Sequence, residues 1–330
     1  MAAPTNTFVS TSAKGNREEL SDVVSRITPE DTPIYTMIQS KDRLTSTNPE
    51  WEKDVLATPA ANAHAEGDTF IYDATTATTR LKNYTQIFKK SFIISGTQDA
   101  VKNAGNYEQS GQQLAKRFVE FKKDVEFSLL DNTASVGTGT RKLGSLASWY
   151  ETNTSRGASG SDGGYNTGTN LTVAATNGTQ RAFTKALLDE QLRSIYNEGG
   201  NVDYMVCSPY VKDVFATFMS DANVASLRSF VNEKNKVTVV GTVDVYQGPN
   251  GTVKVVPNRV QAVNATLARN IHLLDTTMLA FKWLRPMKYE PGAKDSDGKK
   301  HNILGEGTLC VKNEAGLGVI ADVYGLTAST

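Results

Sequence analysis

Residues 50–95 read EWEKDVLATPAANAHAEGDTFIYDATTATTRLKNYTQIFKKSFIIS, and how this stretch pairs decides the fold. Trp51, Val55 and Leu56 fall in one strand, and Thr69-Phe70-Ile71-Tyr72 form a short second one. Thr79 to Ser95 form a long third, through Tyr84, Ile87, Phe88, Phe92, Ile93 and Ile94. Thr58 to Asp68, rich in Ala, Asn and Gly with a single Pro59, has the composition of the tip of a long two-stranded excursion. An isolated two-stranded hairpin is marginal in water, so this one needs a surface to lean on. That surface is either its own domain or a neighbouring subunit. On the second reading Trp51, Phe70, Tyr72, Tyr84 and Phe88 are the expected subunit contacts.

Upstream, residues 1–45 carry two small apolar anchors and no core of their own. Leu20, Val23, Val24 and Ile27 have helical spacing, and Thr28-Pro29 stops that helix. Asp31-Thr32-Pro33 starts a second turn, with Ile34, Tyr35, Met37 and Ile38 behind it. Downstream, the spacing predicts a long helix over 107–131. Asn106 is its N-cap, Gln109 stands at the capping-box position, and Leu114, Phe118, Phe121, Val125 and Leu129 form one face. Charges of mixed sign, Glu126 among them, fill the other faces. Leu143, Leu146, Trp149 and Tyr150 then form an apolar cluster, and Arg156 to Asn170 reads as a flexible surface loop.

Residues 181–285 read as a compact α/β unit. Thr184 caps a helix with a Phe183–Leu188 staple and a Gly199 stop. A strand over Tyr204 to Cys207 leads through Ser208-Pro209 into a further helix. Strands over Lys236 to Gln247 and Thr252 to Val256 meet at Pro249-Asn250-Gly251, a strong hairpin turn. Ile271 to Leu274 and Met278 to Trp283 are further strands, and Thr308 to Val311 and Leu317 to Tyr324 close the chain.

Length and composition suit one large domain or two joined ones. Lys+Arg and Asp+Glu both number 35, so the basic excess of a dedicated nucleic-acid binder is missing. No apolar run approaches the ~20 residues of a membrane span, and the N-terminus has no signal-peptide pattern. The chain is expected to start directly with its arm, without a long removable segment. Cys207 and Cys310 are far apart and form no metal-type pair, which fits folding in a reducing compartment.

The catalytic templates fail on residue type or context. His64 lies in the hairpin tip, His272 in an apolar strand and His301 in a Lys-rich loop, none at metal-ligand spacing. Gly157-Ala158-Ser159-Gly160-Ser161 lacks the last glycine of a nucleophile elbow. Asp295-Ser296-Asp297-Gly298 departs from a calcium loop at its glycine and at Lys299-Lys300. The Gly305/Gly307 and Gly316/Gly318 pairs do not open helices, so they are no phosphate loops. A Cys207–His272 nucleophile pair on an α/β hydrolase stays as one rival reading. A self-associating structural or surface-lattice protein of another kind is a second. The expectation is of no enzyme, no cofactor and no metal.

Several segments, in order, resemble one family, the major head proteins of tailed bacteriophages. They are Ile27-Thr28-Pro29-Glu30-Asp31-Thr32-Pro33, Glu50-Trp51-Glu52-Lys53-Asp54-Val55-Leu56 with the stretch to Glu66-Gly67, and Asn83-Tyr84-Thr85-Gln86-Ile87-Phe88 running to Ser95-Gly96-Thr97. Leu143-Gly144-Ser145-Leu146 through Trp149 to Thr152-Asn153, and the strand–Ser-Pro–helix at 204–219, also match; the insertion at 156–170 does not. The resemblance implies an α+β chain of the Johnson type. It would have an N-terminal arm (1–45), an extended β-hairpin loop (46–95) and a peripheral domain with a spine helix (96–180). An axial domain (181–285) and a return to the peripheral domain (286–330) would complete it. It implies a subunit forming hexamers and pentamers of an icosahedral shell around phage dsDNA held without sequence specificity. Portal, scaffold or decoration proteins would be partners, with no membrane. The shell would be assembled in the host bacterial cytoplasm and belong to the virion.

Overall fold

A computed structural model describes residues 28–69, 72–101, 109–218, 229–231, 237–239 and 244–323. The helix expected over Leu20 to Ile27, the contact residue Phe70, the Asn106 cap and parts of the strand expected over Lys236 to Gln247 lie outside those residues. Pro33–Ile38 form helix α1, with proline at the first position where no N–H partner is needed. Strand β1 (Gln39–Arg43) follows at once. Strands β2 (Glu50–Lys53) and β3 (Thr79–Lys82) pair antiparallel, Trp51 opposite Leu81. Strand β4 is Gln86–Ser95, helix α2 is Gly96–Ala100, and helix α3 is Gln109–Leu130.

Two expectations change here. β2 ends at Lys53, so Val55 and Leu56 do not share the strand of Trp51 and stand exposed. The single strand expected over Thr79 to Ser95 is two, because Asn83 and Thr85 turn their side chains into the protein and interrupt the ladder.

Strands β5 (Thr154–Ser155) and β7 (Leu171–Val173) flank the region read as a flexible loop, and β6 (Gly164–Asn166) lies within it. It is ordered instead. β6 and β7 form a hairpin, and Tyr165 stacks on Trp149 at 5.5 Å with the rings 6° from parallel. Ser135 and Thr172 each donate a backbone N–H to the other's hydroxyl at 2.8 Å. Ser159 does have a positive φ of 65°, but it stands in an exposed turn closed by Gly160 N–H donating to Gly157 O, not between a strand and a helix.

Helix α4 (Lys185–Asn197) is capped by the Thr184 hydroxyl, with Phe183 and Leu188 buried together. Strand β8 (Tyr204–Cys207) leads into helix α5 (Pro209–Thr217), capped by Ser208. Strands β9 (Ser229–Val231) and β10 (Val237–Val239) pair antiparallel. Strands β11 (Val245–Gly248) and β12 (Gly251–Pro257) form the expected hairpin, turning where Gly251 takes a φ of 135°. Helix α6 (Ala265–Ala268) and strands β13 (Ile271–Leu274), β14 (Leu279–Pro291), β15 (Gly298–Val311) and β16 (Gly318–Ile320) follow.

The longer strands build two sheets. One has the order β1-β14-β15-β4, the other β11-β12-β8-β13-β16-β5. Membership does not follow the expected segment boundaries. β14, which begins before residue 286, is in the four-stranded sheet, and β16 is in the six-stranded one. Pro286 is tolerated within β14 because the register shifts around Arg285, where the ladder is already broken.

Strand alternation divides the core. Val206, Leu274 and Val319 on one face of the six-stranded sheet join Trp149, Leu129, Phe281 and Leu309 in a first cluster shared with the four-stranded sheet and α3. Met205, Cys207, Leu273 and Ile320 on the other face pack with Leu188 and Ile195 of α4 and Val211 and Phe215 of α5. The six-stranded sheet is thus a middle layer with apolar cover on both sides.

Gly305 and Gly307 find their purpose in this packing. They lie within β15 beneath aromatic rings. A Cβ on Gly307 would stand 2.9 Å from ring carbons of Phe281 and Trp283, and one on Gly305 would meet Phe121 and Trp283 at 3.0 Å. The sheet needs hydrogen there so that the rings can lie flat on the strand. Gly307→Ala is expected to lower stability by about 1–3 kcal/mol through overpacking, read as a lower urea midpoint at unchanged slope.

Candidate assembly interface

The β2–β3 ribbon is rooted firmly, and Lys53 at the end of β2 adds an ion pair to Glu314 at 3.6 Å. At its root, Trp51 donates its indole N–H to the Val311 carbonyl at 2.7 Å and lies 5.8 Å from the Trp149 ring. Leu81, opposite, is buried. Two residues on, Asn83 acts as a clamp. Its amide nitrogen donates to the carbonyls of Leu309 (2.8 Å) and Gly144 (3.2 Å), and its amide oxygen accepts the Gly144 and Tyr84 N–H groups. Thr85 then donates to the carboxylate of Glu306 at 2.7 Å. Arg141 (2.6 Å) and Arg285 (2.9 Å) hold the same buried carboxylate, which compensates its charge.

Beyond this root the burial stops. Every described residue from Asp54 to Arg80 is exposed. Leu56 and Tyr72 are each 92% exposed and Val55 73%. Local hydrogen bonds do form: His64 bridges Asp68 and Asn62, and Thr78 donates to Glu52. None of these buries apolar surface. The excursion is also acidic. Asp54, Glu66, Asp68 and Asp73 face no Lys or Arg between residues 54 and 79. The formal neutrality of the whole chain hides this asymmetry.

The expected contact residues therefore fall into different environments. Phe88 is buried in the chain's own core against Phe121, and Trp51 is held at the root, so both are internal packing residues. Tyr84 is half-buried under the Lys82 ammonium. Tyr72 points to solvent. Asn83 lies in a segment that carries the family resemblance, but sequence reasoning gave neither it nor Glu306, Arg141 and Arg285 this structural role. Their only local signal was the polar triplet Asn83-Tyr84-Thr85 inside an apolar run.

The structure also decides the nucleophile pair. His272 lies opposite Val206 in the β8–β13 ladder, and opposed residues share a face. Cys207, the next residue along, points to the other face, into the α4–α5 cluster. Burial pushes the Cys207 thiol up to about 12, away from the reactive thiolate. His272 packs beside Tyr150, whose hydroxyl lies 3.1 Å from Nδ1. Burial, and secondarily Arg156, lower its pKa to about 4, so it is neutral at pH 7. This is a packed histidine facing away from the thiol.

Known proteins share the architecture. A family model described as SU10 major capsid protein matches residues 3–324. The major capsid protein of Escherichia phage Phieco32 is 26% identical over 361 aligned residues, covering all of both chains. Among solved structures, the cyanophage A-1(L) capsid subunit superposes with a TM-score of 0.61 at 14% identity, over 96% of this chain and 98% of that one. A chain of Gordonia phage Cozz gives 0.61 at 12% identity over 98% and 97%. The SrpI encapsulin of Synechococcus elongatus gives 0.58 at 11% over 96% and 95%. The fold is the Johnson fold of tailed-phage shells.

Trp51→Ala is expected to destabilise the isolated subunit by about 3 kcal/mol, since it removes a large ring and its hydrogen bond at the root. Tyr72→Ser is expected to change it by no more than about 0.5 kcal/mol. Chemical denaturation of the two variants side by side measures both.

Proposed function

The chain belongs to the SU10 major capsid protein family, and from that premise we propose how it builds a phage shell. The subunits associate into hexamers and pentamers that close as an icosahedral container around double-stranded DNA. The carrying observation is the excursion over 54–78, rigidly rooted and exposed along its described length. It reaches over a neighbouring subunit, where Tyr72, Leu56 and Val55 find the cover they lack at home. Closed symmetry repeats this contact, so many modest interfaces add to a stable shell. Obligate interfaces of this sort bury on the order of 2,000–5,000 Å² in total.

Charge supports the same reading. An acidic excursion fits a basic landing surface. The four-stranded sheet and α3 expose Lys89, Lys116, Lys122 and Lys288, of which Lys116 and Lys288 each lie 4.0 Å from a glutamate of the same element.

On this reading the segment around α1 is the arm, α3 the spine of a peripheral domain, and the six-stranded sheet the body of an axial domain. Packaged DNA is held without sequence specificity, and weakly, since the whole chain has no basic excess. Portal and scaffold or decoration proteins are the further partners, and assembly takes place in the host cytoplasm. No catalytic step is part of the function.

Deleting residues 59–78 is expected to leave a soluble, folded subunit that forms no shells. Cys207→Ala is expected to assemble like the wild type, which a hydrolase using that thiol does not predict. Size-exclusion chromatography with negative-stain microscopy reads both, and normal particles from the deletion would sink the proposal.

A further inference from the structure

Three stretches far apart in sequence meet at one carboxylate. Glu126 of α3 is fully buried, although its place among the charged residues of the helix suggested a solvated face. Its Oε1 accepts the Ile34 N–H at 3.0 Å and the Asn258 side-chain amide at 2.6 Å, and its Oε2 accepts the Tyr35 N–H at 2.7 Å. Thr32, at the N-cap of α1, makes no side-chain capping bond to the helix. Glu126 therefore caps that short helix from across the core. Asn258 is itself fixed at the end of β12, donating its N–H to the Cys207 carbonyl and accepting the Val260 N–H on its side-chain oxygen. Among the described residues no ion pair reaches Glu126, in contrast to Glu306 with its two arginines.

We propose that Glu126 is a pH-sensitive latch between the segment around α1, helix α3 and the six-stranded sheet, closed when Glu126 carries a proton and loosened when it ionises. The ionised carboxylate satisfies three donors but is cut off from water with no cation beside it. The protonated acid keeps the Ile34 and Asn258 bonds on one oxygen and gives up the charge, at the cost of the Tyr35 bond. Burial outweighs the three hydrogen bonds, so the docked carboxyl titrates above its ordinary range. A released segment would leave Glu126 hydrated, with an ordinary pKa. The docked state thus holds the proton more tightly. Docking is strongest below the ordinary carboxyl value and weakens as pH rises from there through the raised value.

The neighbouring charged groups are Asp31 and Arg259, paired at 3.6 Å and mostly exposed, and Glu30 and Lys122, which line the groove beside α1. Asp124, on the same helix, is paired with Lys90 at 2.7 Å. The Tyr35 phenol is raised by burial above the usual tyrosine range, so it titrates outside the window.

Hydrogen–deuterium exchange of the full-length unassembled subunit tests the latch, from about pH 4.5 to about pH 9, with protection corrected for intrinsic rate and referred to the α4 amides. Amides of residues 34–38 are expected to lose protection by up to about tenfold per pH unit within the window, the slope of one proton. Glu126→Gln removes the titrating group and is expected to flatten that profile. Asn258→Ala removes one bond that favours the charged form, so it should extend the loss to higher pH. A flat wild-type profile, the same slope in Glu126→Gln, or an Asn258→Ala profile unmoved or shifted down would overturn the latch.

Discussion

The Asn83 side chain fixes the place where an exposed excursion leaves a folded body. Its amide uses both donors and its acceptor on the carbonyls of Leu309 and Gly144 and on two backbone N–H groups. A buried amide satisfied in this way has one orientation, because any rotation strands polar atoms away from water. Trp51 on the facing strand adds apolar contact and a second link to the end of β15. The ribbon beyond can then be aimed without being supported. In a protein whose work is geometric, the direction of a lever matters as much as the patch at its tip.

The body behind that root is stiff for related reasons. One cluster of side chains runs from the four-stranded sheet through Trp149 to the near face of the six-stranded sheet. Gly305 and Gly307 let Phe121, Phe281 and Trp283 sit close against β15. Phe281 and Trp283 meet edge to face at 4.9 Å, the arrangement favoured by aromatic quadrupoles. The glycines that resemble fragments of a phosphate loop are packing residues. Function and fold share the same elements, and the chemistry-bearing residues Cys207, His272 and Glu306 are all absorbed into structure.

The fold is shared with an encapsulin chain as well as with phage capsid chains, so likeness of fold by itself does not decide what this subunit does. The family match supplies the phage assignment. Within this chain the finer features are an acidic excursion, a packed hairpin over 164–173 leaning on Trp149, and a buried carboxylate joining α1 to the rest.

Sequence by itself determined the features governed by near neighbours. The caps at Thr184 and Ser208, the turn at Asn250-Gly251 and the apolar face of α3 are fixed by spacings of a few residues, and each stands where the pattern put it. Of the two-stranded reading of 46–95, the structure carries the antiparallel pairing of β2 with β3, while Val55, Leu56, Thr69 and Tyr72 stand outside any strand. Tertiary structure alone decided which side chains are held inside. Trp51 bonds a residue 260 positions away, Asn83 one 226 away and Glu126 one 92 away. The order in the 156–170 segment also depends on a distant ring, through Tyr165 on Trp149. Local composition reads Trp51 and Phe88 as available anchors and Glu126 as a surface charge. Only the closing of the core over them turns two into packing residues and the third into a joint, because burial is set by which surfaces meet and not by the pattern within either one.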